Sequence, residues 1–392
     1  MRLSSSFAVF RADPAEQDLT RARWLAREGR IEAAEHEYRA ALAAQPDLKA
    51  GWIELVELLR RAGRHQAALD AALDAEAHYG PDAAMPLVLK GAALIELGRT
   101  REAVQALEAA LERDGNLALA WHELAYAAFK VGEYSRALLA LDRAFALEPH
   151  IDTLLLRGRI LREAGQYEAA EVAFDAAQQA TDHDIPRRDA ERETLTTRRA
   201  AALGGKRPGA FSARERIFAD TGTAVVDPGA ADGGVTAGLL AGSLATLPRL
   251  VREAGWEPAV VAGALEADAA LAEAVAAALG APTEMLAALD PADRPLIVTL
   301  LNDGGAEWAK QARRLERWGA GTTFALLQLP DAADPADIAG AVRTVAPADA
   351  REALARALAL PAAAPAESGE TERLAANPQA PWRHRAAGRE ST

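Results

Sequence analysis

The stretch Trp121-His122-Glu123-Leu124-Ala125, continued by Gly132-Glu133-Tyr134 and then by Ala137, Leu141, Ala144 and Pro149, decides the fold of the first half of the chain. Its apolar and small residues recur at helical spacing on either side of one glycine, which predicts two antiparallel helices joined by a tight turn and closed by a proline. The same chemistry returns at a fixed offset. Gly29, Gly63, Gly98, Gly132 and Gly165 are separated by 34, 35, 34 and 33 residues, and Ala41, Ala75, Ala110, Ala144 and Ala177 step by the same amounts. A second set, Ala34, Ala68, Ala103, Ala137 and Ala170, precedes the first by seven residues, two turns along one helix face. A methyl group at such a position lets two helix backbones approach closely, so each alanine pair marks a helix crossing. Two independent markers in one register predict five stacked helix pairs.

This pattern resembles the tetratricopeptide repeat family over about residues 15–184, with its period of roughly 34 residues. The resemblance implies an α superhelix of five helix pairs that acts as a binding scaffold for a protein or peptide. Unit one departs from the pattern, with Asp18 and Arg21 where Trp and Leu are expected, and terminal units of a stack are commonly atypical. Units two and three replace the closing proline with Gly80-Pro81 and with Gly115. In that family residues two, five, nine, twelve and thirteen of each unit face the concave side. Carried onto this chain, the register selects Arg23 and Arg27, then Arg60 and Arg61, then His122, Tyr126, Phe129 and Lys130, and finally Arg159 and Arg162. Glu57, Glu96 and Glu163 dilute this mostly basic set. In a chain of formal net charge -13, such a set predicts an acidic or carboxylate-bearing peptide as partner. The ninth residues are Arg23, Glu57, Ala92, Tyr126 and Arg159, not the Lys/Asn pattern of the carboxylate-clamp members, so a chaperone tail is not implied.

A length of 392 residues predicts two to three domains, because a single core stops growing well before that size. The absence of cysteine excludes disulfides, thiolate metal sites and a Cys nucleophile, and fits a cytoplasmic protein. Met1 to Phe10 lacks the apolar run of a signal peptide, and no stretch of about 18 residues is apolar enough to predict a membrane span. The acidic balance argues against nucleic-acid binding, which needs a basic face.

Along the chain, residues 1–14 read as a leader and 15–205 as the helical stack, closed by a charged capping helix from Pro186 to Leu203. Lys206-Arg207-Pro208-Gly209 reads as a linker. From Phe211 the pattern changes to strand–helix alternation, which predicts a smaller α/β domain over 211–345 with a mostly parallel sheet. Strands are expected at Thr223–Val226, Pro258–Ala262, Met285–Leu289, Pro295–Leu301 and Gly321–Leu329, with a helix over Ala306–Trp318. A C-terminal helix is expected over 346–360, and 361–392 reads as disordered from its Ala, Pro, Glu, Ser and Arg content.

Two stretches of this half invite a ligand. Gly229-Ala230-Ala231-Asp232-Gly233-Gly234-Val235-Thr236 has the spacing of a nucleotide phosphate loop but carries Val235 in place of its lysine, so an ordinary strand–helix turn is expected. Residues Val260 to Pro330 weakly resemble the type I phosphoribosyltransferase layout, in which two adjacent acids hold ribose hydroxyls and a Thr-Gly-Thr turn holds a phosphate. Here Asp303 matches one acid, Asn302 occupies the other place, and Asp303-Gly304-Gly305 runs into Ala306-Glu307 where hydroxyl residues should follow. The seven histidines form no metal-ligand spacing, and Ser243 lacks the second glycine of a nucleophile elbow. The expectation is therefore a scaffold without a cofactor or catalytic residues, carrying an accessory α/β domain. The rival reading is a transferase to which the repeats recruit a substrate.

Overall fold

The computed structural model describes residues 14–227, 233–253, 258–318, 320–330, 332, 335–343, 345–360 and 369–377. Of the expected leader only Pro14 lies among them, and 361–368 and 378–392 of the expected tail lie outside. The architecture is the expected one, a long tetratricopeptide-like helical array followed by a region with a small parallel sheet. The chain divides into two compact units, Met1–Ile160 and Leu161–Thr392.

The first unit holds α1 (Pro14–Arg27), α2 (Ile31–Ala44), α3 (Lys49–Arg61), α4 (His65–Tyr79), α5 (Ala84–Glu96), α6 (Thr100–Arg113), α7 (Ala118–Lys130), α8 (Tyr134–Leu147) and most of α9 (Ile151–Glu163). Each turn within a pair is made possible by its glycine. Gly98 has φ +72°, and its N–H bonds to the Ile95 carbonyl at 3.0 Å while the Arg99 N–H reaches Leu94 at 2.9 Å. That left-handed cap satisfies carbonyls the ending helix would leave bare. The crossing alanines Ala34, Ala68, Ala103 and Ala137 are fully buried, and Leu55, Leu59, Leu94, Leu107 and Leu141 fill the space between them. The tryptophans that open two of the units also tie the incoming chain. Trp52 Nε1 donates to the Pro46 carbonyl at 2.8 Å, and Trp121 Nε1 to that of Gly115 at 2.9 Å.

The second unit begins at the end of α9 and continues with α10 (Tyr167–Gln179), α11 (Asp184–Ala201), α12 (Ala213–Thr221), β1 (Ala224–Asp227), α13 (Ala237–Glu253), β2 (Val261–Gly263), α14 (Ala269–Leu279), β3 (Leu296–Asn302), α15 (Ala306–Trp318), β4 (Thr322–Gln328), β5 (Ile338–Val342), α16 (Pro347–Leu358) and α17 (Gly369–Ala375). The strands are all parallel, in the order β1-β5-β4-β3-β2. Their near-continuous burial is what a parallel sheet covered on both faces demands.

The structure departs from the expected layout at four places. The strand expected at Met285–Leu289 is a 3₁₀ turn over Leu286–Ala288, and the pairing lies just before it. There Val261 bonds to the Pro282 carbonyl at 2.9 Å and accepts from the Glu284 N–H at 3.0 Å. Strand β5 was not expected, and its Gly340 is required by close packing: a Cβ there would lie 2.6 Å from the Leu326 carbonyl and 3.0 Å from Ser243 Cβ. Part of the tail expected to be disordered forms α17, whose Leu374 and Ala375 are buried and whose Thr371 hydroxyl donates to the Val225 carbonyl at 2.7 Å. The segment expected as a linker is packed. Pro208 is buried, Lys206 Nζ meets Glu215 at 2.6 Å, and the Lys206 carbonyl accepts from the Tyr167 hydroxyl. Tyr167, Ala200 and Leu203 accordingly share one core with Phe211, Phe218 and the sheet, so the capping helix α11 is also a wall of the α/β core.

Candidate functional site

The tetratricopeptide register directs attention to the first helix of each pair, α1, α3, α5, α7 and α9. The structure shows that several of the selected cations are already neutralised within the array. Arg23 makes a bidentate contact to Glu54 across one repeat, at 2.8 and 2.7 Å, and the Tyr38 hydroxyl donates to the same carboxylate at 3.0 Å. Burial and the Glu54 charge push the Tyr38 phenol up, so it stays a donor.

Arg60 lies deeper. Its guanidinium meets Glu123 at 3.0 Å, Glu57 at 3.1 Å and Glu96 at 3.5 Å, tying α3, α5 and α7 together, with its side chain 15% exposed. Burial pulls the Arg60 pKa down, but the three carboxylates outweigh it and hold the group above its ordinary value. Glu123 is the most enclosed member. Burial raises its carboxyl above the usual range, opposed by Arg60. Arg61 is exposed and pairs with Glu57 at 2.7 Å. This cluster carries two positive and three negative charges, so it is not the cationic surface that the arginines alone suggested.

The remaining selected residues of the first unit give a different surface. Lys130 is exposed, and its ammonium stands 5.1 Å from the centre of the Tyr126 ring, within cation–π range. Phe129 tilts against Tyr134 with ring centres 6.2 Å apart. His122 lies beside the Thr153 hydroxyl at 3.4 Å, and burial lowers its pKa, so it is a neutral hydrogen-bonding group at pH 7. Arg159 is half-buried on α9, and Arg27 is exposed at the end of α1. Arg162 belongs to the second unit, where it pairs with Glu193 at 2.6 Å.

Sequence reasoning missed Glu54 and Glu123 as members of this site. A signal existed for Glu123, because Ala120, Leu124 and Ala127 share its helix face and are buried, so a carboxylate at that position must find a cation.

Of the two candidate ligand loops, Gly229 and the residues to Asp232 lie outside the described residues, while Gly233 and Gly234 precede α13. The other loop is closed by its own side chains. Asn302 Oδ1 accepts from the Gly304 N–H at 3.0 Å and Asp303 Oδ1 from that of Gly305 at 2.9 Å. The amides that would cradle a phosphate are thus occupied in turns. Among the described residues no group of three or more His, Cys, Asp or Glu side chains is placed to hold a metal ion, and no helix is long and apolar enough to cross a membrane.

A tetratricopeptide repeat family model matches residues 86–117, most of unit three. No curated protein matches the sequence. Among solved structures, a thermophilic tetratricopeptide protein of Thermus thermophilus is 19% identical with a TM-score of 0.42, over 46% of this chain and 99% of its own. PilW, a type IV pilus biogenesis factor, is 19% identical with a TM-score of 0.41, over 48% and 87%. YrrB, described as having an unusual peptide-binding site, is 18% identical with a TM-score of 0.30, over 45% and 92%. Together, the repeat register, the four glycine-capped helix pairs of the first unit and the family match define the N-terminal array as tetratricopeptide repeats. An array of such repeats is the architecture of a protein-interaction scaffold.

Proposed function

We propose that the array binds a peptide segment of its partner at the first helices of units four and five, where Tyr126, Phe129, Lys130 and Arg159 form a mixed aromatic and cationic surface. The observation that carries this reading is the exposed Lys130 ammonium over the Tyr126 ring, flat apolar area beside a charge, the composition of an interface anchor. The partner segment is acidic or ends in a carboxylate. Arg27 extends the cationic character at the other end of the array, and the Arg60 cluster serves as internal support between units two and four. The α/β region is an accessory, non-catalytic module, a reading supported by the self-capped Gly304 and Gly305 amides. The lack of cysteine fits a cytoplasmic setting.

The test is a double charge reversal, Lys130→Glu with Arg159→Glu, in the full chain. A partner is first captured with wild-type protein, then titrated against both forms at low and high salt. The expected loss is about 2 kcal/mol or more with helical circular dichroism unchanged, and wild-type binding weakens as salt screens the cations. Equal affinities without salt dependence would remove this face as the binding site.

A further inference from the structure

A cleft of about 660 Å³ lies between the second helices of units three and four and is lined by none of the selected groove residues. Its floor is apolar, made by Trp121 and Leu124 of α7 and Ala140 of α8, and Leu139 stands at its edge 67% exposed. Its two walls carry opposite charge. Glu108 and Glu112 line the α6 side, one turn apart, and Arg136 and Arg143 line the α8 side, two turns apart. Arg136 reaches across to Glu108 at 2.6 Å and also meets Glu133 at 3.1 Å. Its volume lies in the range of about 300–1,000 Å³ typical of ligand pockets.

We propose that this cleft receives an amphipathic helical segment of a partner protein, with large aliphatic or aromatic anchors on the floor, basic residues along the flank facing α6 and acidic residues along the flank facing α8. The charge pattern of the walls argues for this occupant: Glu108 and Arg136 match each other, while Glu112 on one wall and Arg143 on the other make no ion pair among the described residues, so a segment carrying both signs complements the two walls. The size of the patch argues against a second copy of the chain. Two helical turns of about 5.4 Å each, across two helices of about 10 Å, give on the order of 200 Å². A stable dimer needs about 800 Å² from each partner. The site is independent of the first-helix face, so the two readings stand or fall separately.

The test uses three fluorescent helical peptides of about 14 residues, four turns, sharing one leucine stripe. One has a lysine flank and a glutamate flank, one has two lysine flanks, and one has two glutamate flanks. Comparing one mixed with two single-sign peptides makes the result independent of the direction in which the helix lies. By anisotropy, the mixed peptide is expected to bind wild-type protein about tenfold tighter than either other. Leu139→Asp should weaken it about tenfold, and Glu112→Arg, which puts a cation on the α6 wall in place of its carboxylate, should shift the preference to the doubly acidic peptide. Both residues are exposed, so helical circular dichroism should be unchanged. Equal binding of the three peptides, or none, would overturn the proposal. So would concentration-dependent self-association in sedimentation that Leu139→Asp abolishes, which would make a second copy the occupant.

Discussion

Replacing Arg60 with Met should destabilise the repeat array far more than the loss of a surface ion pair would, because the arginine is the counter-charge of an enclosed carboxylate. Glu123 has a side chain only 8% exposed, and Arg60 is the cation that touches it. Removing one partner of such a pair leaves an uncompensated buried charge, at a cost of about 3–5 kcal/mol, whereas an exposed pair contributes about 0–1 kcal/mol. Replacing both, as Arg60→Met with Glu123→Leu, should recover most of that loss, since an apolar pair of similar volume satisfies the site.

The pH dependence provides a second signature. Burial holds the folded pKa of Glu123 above its unfolded value of about 4.3, so its protonation favours the folded state. Stability linked to such a group is fully present below the unfolded pKa and is lost as pH rises through the folded one. Without Arg60 the folded pKa rises further, so the deficit of Arg60→Met relative to wild type should shrink as pH is lowered from about 7.5 towards about 5. In the double variant that pH-dependent part should be gone. The assay is urea unfolding followed by helical circular dichroism at both pH values. A deficit below about 1 kcal/mol, or one that does not change with pH, would show that Glu123 is well solvated and that the cluster is peripheral.

Two packing predictions accompany it. Gly91→Ala would place a Cβ 2.6 Å from Leu107 Cγ, where Leu107 is fully buried, and should cost about 1–3 kcal/mol in the same unfolding assay, as should Ala137→Leu at the crossing in unit four. An unchanged urea midpoint in either would mean that the repeats pack in a different register. Thr371→Val removes the hydroxyl that donates to the Val225 carbonyl and should loosen α17 by about 1 kcal/mol, read as faster proteolysis between residues 361 and 377. Identical cleavage rates would detach that helix from the sheet.

The array was legible because its markers report backbone constraints. A left-handed turn requires glycine and a close crossing requires alanine, so the two residue types repeat wherever the geometry does. The sheet was legible only where its strands are large and apolar. Ile338-Ala339-Gly340-Ala341-Val342 carries few of the branched and aromatic residues that mark a strand, because Gly340 must clear Leu326 and Ser243. The helix Gly369–Ala375 was hidden for a related reason. Its composition is that of a disordered tail, and what fixes it is a few long-range contacts, from Thr371 to Val225 and from Glu370 to Ser212 and Arg214. Local composition reports the cost of ordering a segment but not the core already waiting for it.

The candidate site shows the same limit in electrostatic form. The register assigns each residue to a helix face, but a charge on that face interacts with whatever the neighbouring repeats present. Arg60 finds Glu123 63 positions away, two repeats along, and Arg23 finds Glu54 31 positions away. Counting arginines per helix therefore overstates the positive potential available to a ligand, because stacking brings Glu54, Glu96 and Glu123 onto the same guanidinium groups. Lys130 differs from Arg23 and Arg60 in standing over an aromatic ring, that of Tyr126, and in making no ion pair among the described residues. A ring leaves the ammonium's charge uncancelled while adding apolar contact area, so affinity for an acidic segment should be concentrated there and not spread along the arginine ladder.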